Sequence, residues 1–181
     1  MKISQLLVLG AVLLPSLSWA DFPTYDWSTY TVGQKKWSGI EQLKEAAEKG
    51  DFMAQYAYAW ALDEGKGIRK NEREAERLYA AVVEGLKSLA DKGDLDAMTA
   101  LGEMYENGDG VAKNRTLAAE WYTKAAEKGH AYAMYCMADC YKDGDGVIRS
   151  IQQARIWYQK AAEAGYRKAL RELRELDEDD D

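Results

Sequence analysis

The sequence holds one histidine, His130, and two cysteines, Cys136 and Cys140, in 181 residues. A hydrolase or transferase of the usual kinds needs a base held beside a nucleophile or a metal, and a lone histidine leaves few ways to assemble one. Basic charge is also short. With 24 Lys and Arg against 31 Asp and Glu the net charge is -7, which argues against nucleic acid or an anionic membrane as partner, since both demand a basic surface. A neutral or basic partner fits better. Long hydrophobic runs are missing too: the apolar stretch from Ile3 to Leu14 falls short of the roughly 20 residues that span a bilayer. Preceded by Lys2 and followed by Ser18-Trp19-Ala20, it reads as a secretory signal peptide over residues 1–20, cut after Ala20. Removal of Lys2 takes the net charge from -7 to -8. No cysteine lies near the cut, so a lipoprotein anchor is not expected. About 160 residues then remain, one domain's worth, with enough apolar composition for a continuous core.

What the sequence has in abundance is self-similarity. Gly93-Asp94-Leu95-Asp96-Ala97 through Leu101-Gly102-Glu103-Met104-Tyr105 aligns with Gly129-His130-Ala131-Tyr132-Ala133 through Met137-Ala138-Asp139-Cys140-Tyr141 at an offset of 36. The same offset carries Gly108-Asp109-Gly110-Val111 onto Gly144-Asp145-Gly146-Val147, and Trp121-Tyr122 onto Trp157-Tyr158. An earlier copy begins at Gly50-Asp51, offset by 43 from the second, so seven extra residues lie between Tyr79 and Leu89. Seven is close to two turns at 3.6 residues per turn, which predicts one long helix from about Asn71 to Asp91, weakened locally by Gly85. Within a copy, Ala97, Leu101 and Tyr105 recur at helical spacing, as do Ala118, Trp121, Tyr122 and Ala125 after a loop. Each unit is therefore helix A, a Gly-x-Gly loop, and helix B. Gly129 and Gly165 read as helix terminators needing positive φ, and Gly102, Ala118 and Ala125 as small residues that let helices approach. One helix pair cannot bury its own apolar face, so the copies must stack.

The pattern Ala-x-x-x-Leu-Gly-x-x-Tyr-x-x-Gly-x-Gly-Val, then Ala-x-x-Trp-Tyr-x-x-Ala-Ala-x-x-Gly, resembles the Sel-one-like repeat, a longer relative of the tetratricopeptide repeat. The match is tight in copies two and three and looser in copy one, where Tyr58, Ala59 and Leu78 replace Leu, Gly and Trp. The resemblance implies an all-α, right-handed α-solenoid of stacked helix-turn-helix repeats that scaffolds protein complexes. The expected layout is a signal peptide at 1–20 and an aromatic-rich N-terminal arm or cap at 21–39. The repeat domain follows at 40–176, with repeats at about 50–92, 93–128 and 129–164 and a capping helix at 166–176. An acidic tail occupies 177–181. Ile40 to Gly50 resembles a lone helix B, and Tyr166 to Leu176 a lone helix A.

Local features that invite chemistry have structural readings. His130 stands where Asp51 and Asp94 stand in the other copies, directly after the terminating glycine, and reads as a helix-start residue. Asp143-Gly144-Asp145-Gly146 lacks the glutamate that an EF-hand needs at its twelfth position, where Ala154 falls, and Lys66 replaces Asp145 in copy one. The Gly-x-Gly pairs lack the surroundings of a phosphate cradle. Cys136 and Cys140 are helical i, i+4 neighbours with Cβ atoms about 5–6 Å apart, against the roughly 3.5–4.5 Å of a disulfide; two buried thiols are expected, and a bridge is disfavoured. Neither a metal nor any cofactor is expected.

The remaining candidate site is the face of the A helices. If Ala97, Leu101 and Tyr105 face the stack, residues two positions later point away from it, about 200° around the helix. These are Tyr56 and Trp60, Thr99 and Glu103, Tyr135 and Asp139. With Phe52 and Tyr132 they form an aromatic and acidic surface of the kind protein interfaces favour. Tyr56, Trp60 and Tyr135 are the expected anchors, and Glu103 and Asp139 would orient a basic or extended segment of another protein. The reading is a secreted or periplasmic, non-catalytic adaptor. Two alternatives stand beside it: an immunity protein neutralising a secreted toxin or lipase effector, and an enzyme acting on the cell wall or on β-lactams.

Overall fold

The computed structural model describes residues 30–32 and 35–178. The expected signal peptide, most of the aromatic arm and the end of the acidic tail lie outside the described residues. The order among those described is β1 (Tyr30–Val32), β2 (Lys35–Trp37), α1 (Ile40–Glu48), α2 (Phe52–Glu64), α3 (Glu72–Asp91), α4 (Leu95–Asn107), α5 (Arg115–Glu127), α6 (Ala131–Asp143), α7 (Ile151–Glu163) and α8 (Ala169–Glu178). Each helix packs on the next in sequence, from α1 to α8, and the buried core runs along the stack from Trp37 to Leu176. This is the α-solenoid, with one addition: β1 and β2 pair antiparallel, Tyr30 opposite Trp37. The ribbon lies against α1 and α2 and seats the Trp37 ring in the core.

The helices start where side-chain acceptors stand ready for the free N–H groups of a first turn. Asp51, Asp94 and His130 cap α2, α4 and α6, and Asn71, Asn114 and Ser150 cap α3, α5 and α7. The expected capping helix starts three residues late, because Tyr166 stands at the cap position and a phenol ring cannot reach back to those donors. Instead i to i+3 bonds from Ala169, Leu170 and Arg171 to Tyr166, Arg167 and Lys168 wind the chain into α8.

The Gly-x-Gly loops are packing devices. A Cβ on Gly110 would lie 2.3 Å from Ala80 N, and one on Gly146 would lie 2.1 Å from Arg115 O, so each loop rests directly on the backbone of the preceding B helix. That contact also moves the two extra turns of α3 from between Tyr79 and Leu89, where the 43-residue offset puts them, to the N-terminal end of the helix. The loop of the third repeat sits on the first residues of α5, whereas that of the second sits on Tyr79 and Ala80, seven residues into α3. Glu76, within those extra turns, accepts the Gly110 N–H at 3.3 Å. Since seven residues nearly complete two turns, Ala75 and Tyr79 share a buried stripe with Val82, Leu86 and Ala90.

Candidate functional site

The A helices α2, α4 and α6 and the turn leading into α8 together line a groove of about 760 Å³. Its floor is small and buried: Ala57 from α2, Thr99 and Ala100 from α4. Aromatic rings form its sides, Tyr56 and Trp60 from α2 facing Tyr132 from α6 and Tyr166 beyond it. Trp60 is 40% exposed, and the Lys66 ammonium lies 5.1 Å from its ring centre.

Hydrogen bonds between A helices hold the groove open in one shape. Tyr56 donates to Glu103 Oε2 at 2.6 Å, and Tyr132 donates to Glu103 Oε1 at 2.6 Å. A single carboxylate from the second repeat thereby joins the first and third. Burial pushes the Glu103 carboxyl above its ordinary value, the two hydroxyls pull it down, and Glu106 and Asp109 add to the rise. Nearby, His130 Nδ1 accepts the Ala133 N–H at 3.2 Å, which leaves Nε2 to donate to Asp96 Oδ1 at 2.9 Å. Thr99 Oγ1 lies 3.1 Å from the same Nδ1. At the equivalent place one repeat on, Tyr166 packs on Tyr132 and Tyr135 with ring centres 5.3 and 4.9 Å apart. The junction is polar between repeats two and three and aromatic beyond.

The sequence-derived site residues are distributed unevenly around this groove. Tyr56, Trp60, Glu103 and Tyr132 line it. Tyr135 stacks between Tyr132, Tyr158 and Tyr166. Asp139 accepts the Tyr158 hydroxyl and lies 3.6 Å from Lys142; burial raises its carboxyl although both partners oppose the rise. Phe52 is 37% exposed, but its ring lies over Gly85, where a Cβ would come within 2.4 Å. Gly85 thus makes room for a ring and leaves α3 unbroken.

Two expectations about exposure are corrected. Tyr56 is 6% and Thr99 3% exposed, because an A helix has B helices on two sides and long side chains from neighbouring A helices across a third. The carboxylates of Glu103 and Asp139 are engaged within the stack, whereas an outward acidic surface was expected. His130, Tyr166 and Lys168 line the groove and were not among the sequence-derived residues. The 36-residue offset places Tyr166 on His130 and Lys168 on Tyr132, so the repeat itself carried the signal.

Cys136 and Cys140 are unbridged and buried. Burial pushes the Cys136 thiol well above its ordinary value and that of Cys140 up to about 12. Among the described residues no three His, Cys, Asp or Glu side chains converge as a metal site, and no helix is long and apolar enough to cross a membrane.

A family model of the Sel1 repeat matches residues 52–81, 95–130 and 131–166. Among solved structures, a Sel1 repeat protein from Oxalobacter formigenes is 27% identical over 74% of this chain, with a TM-score of 0.53. A protective antigen of uropathogenic Escherichia coli strains, displaying an SLR fold, is 25% identical over 74%, with a TM-score of 0.50. Helicobacter pylori cysteine rich protein B is 22% identical over 72%, with a TM-score of 0.51, a likeness of fold alone. The chain spans 35% of the E. coli antigen, 52% of the Oxalobacter protein and 94% of the Helicobacter one. No curated protein sequence matches it.

Proposed function

Because the chain belongs to the Sel1 repeat family, we propose that it is a non-catalytic scaffold whose A-helix groove holds a segment of a protein partner. The observation that carries this reading is the groove itself: aromatic side chains from the first and third repeats and from the turn before α8 around a floor of small residues, with Trp60 presented to solvent. Aromatic rings gain most from leaving water and dominate the energetics of such surfaces. A stack of repeats offers an extended surface of this kind. The proposed setting is the periplasm or the cell exterior, reached through a signal peptide cut after Ala20; a mature protein whose intact mass begins at Asp21 is the expected result.

The test is a photo-crosslinking residue at position 60 in the producing cell, followed by affinity measurement on the partner it identifies. Trp60→Ala should weaken binding by roughly 2 kcal/mol, about thirtyfold, and leave the thermal melt nearly unchanged because the ring is not core. An unchanged affinity places the site elsewhere. Turnover of peptidoglycan, ester or β-lactam substrates by the purified protein would overturn the non-catalytic part of the reading.

A further inference from the structure

The charge pattern of the groove says what sort of segment it takes, given that it is the binding site proposed above. Its two acids are already engaged: each oxygen of Glu103 holds a tyrosine hydroxyl, and Asp96 faces His130. Its one lysine is not. Lys168 is exposed on the rim and has no ion-pair partner among the described residues. The acid one turn further along, Glu172, is held by Lys142 and Arg171 instead. Ala169, the next residue, opens α8, so the partial positive charge of a helix N-terminus adds to that of the ammonium.

We infer that the groove binds an extended peptide segment that seats a large apolar side chain between Trp60 and Tyr132 and sets an aspartate or glutamate against Lys168. The floor of Ala57, Thr99 and Ala100 leaves the depth for the apolar side chain, and the volume lies within the roughly 300–1,000 Å³ of ligand pockets, room for a few residues. The net charge of -7 does not decide the matter. At physiological ionic strength charges are screened over about 8 Å, so a group seated in the groove feels Lys168 before the distant acids. A lysine or arginine there would meet carboxylates that already accept hydrogen bonds within the stack, and an ammonium opposed to it. The overall acidity predicts a basic partner; the groove predicts an isolated acid beside an apolar anchor.

The experiment pans a random heptapeptide phage library on the immobilised mature protein and measures the selected peptides, made synthetically, by fluorescence polarisation. The expected peptides carry an aromatic or large aliphatic residue close to Asp or Glu, and they lose binding with Trp60→Ala. Lys168→Glu should weaken them by about three- to fivefold, the range of a solvent-exposed ion pair, and should favour the same peptide with its acid replaced by lysine. Thermal melts confirm that both variants fold, since both residues are exposed. Peptides that depend on Trp60 but carry Lys or Arg, or that ignore Lys168→Glu, overturn the charge assignment and leave the groove as the binding site. Failure to select any peptide that depends on Trp60 overturns both.

Discussion

The Tyr56 hydroxyl stands 2.6 Å from Glu103 Oε2, across the boundary between the first and second repeats. The two residues lie 47 positions apart and on helices that are not sequence neighbours. With Tyr132 on the other oxygen, Glu103 clamps three A helices in the register that shapes the groove. A carboxylate in this position trades solvation for two hydrogen bonds, and the balance depends on its charge.

Glu103→Gln tests that balance. The folded-state carboxyl titrates above its ordinary value, so the folded protein keeps this proton at a pH where the unfolded chain has released it. Its contribution to stability therefore falls as pH rises from the ordinary carboxylate range through the raised value. The melting temperature of Glu103→Gln minus that of the wild type should be larger at about pH 7.5 than at about pH 4. Asp109 and Asp139, which shift in the same direction, are common to both proteins and cancel. A difference that is flat with pH, or that runs the other way, refutes the clamp as described.

The Lys142–Glu172 pair should respond with the opposite sign. Burial pushes the Glu172 carboxyl up, but hydrogen bonds from Lys142 and Arg171 outweigh it and hold the group below 4.5. The stability it contributes is present above its ordinary pKa and lost as pH falls through the folded-state value. Glu172→Gln should destabilise by about 1–2 kcal/mol near neutral pH, with the difference closing at about pH 3. Denaturant unfolding at the two pH values measures it, and an equal loss at both would show that charge is not involved.

Two helical glycines should behave differently when replaced by alanine. At Gly102 the new methyl group would lie 2.3 Å from Tyr122 Cε1. Tyr122 is fully buried and donates to Glu106 at 2.7 Å, so its ring cannot retreat. Overpacking costs about 1–3 kcal/mol against about 1 kcal/mol gained in helix propensity, and Gly102→Ala should be the less stable protein. At Gly85 the methyl group meets the Phe52 ring, which is 37% exposed and free to swing outward. Gly85→Ala should therefore stay within about 0.5 kcal/mol of the wild type. Urea midpoints decide, and equal losses at both sites would mean that Phe52 is as firmly held as Tyr122.

The two thiols should be inert in the native protein and reactive once it unfolds. Thiolate is the reactive form, and burial raises both groups, Cys140 up to about 12. A maleimide at about pH 7, where even an ordinary thiol is only a few per cent ionised, should label neither in buffer and both in guanidinium without reductant. No labelling in guanidinium would reveal a bridge, and rapid native labelling would show that the helix opens.

Much of this architecture is legible in the residue pattern because it is local. An aspartate after a glycine announces a helix start at Asp51 and Asp94, and the 36-residue offset shows that His130 does the same work. The 43-residue offset yields the long α3 within one residue of its observed start, since seven residues fit two turns whatever surrounds them. The Gly-x-Gly loops are recognised as turns in the same way. That the second glycine lies on the preceding B helix is invisible until that helix is placed.

The site is where the sequence falls short, for a physical reason. A helical wheel assigns one inward and one outward face, which serves a helix with a single packing partner. The A helices have more, so Tyr56 and Thr99, placed outward by the wheel, are buried, while Trp60 one turn further on reaches solvent. The sequence by itself determined the number, order and caps of the repeats, because capping, turn chemistry and helical periodicity act within a few residues. Only the tertiary structure decided which carboxylates are already held, that Tyr166 and Lys168 close the groove, and that the ammonium on its rim has no ion-pair partner among the described residues. Those depend on side chains meeting across residues 29 to 47 positions apart, and no local rule reaches that far.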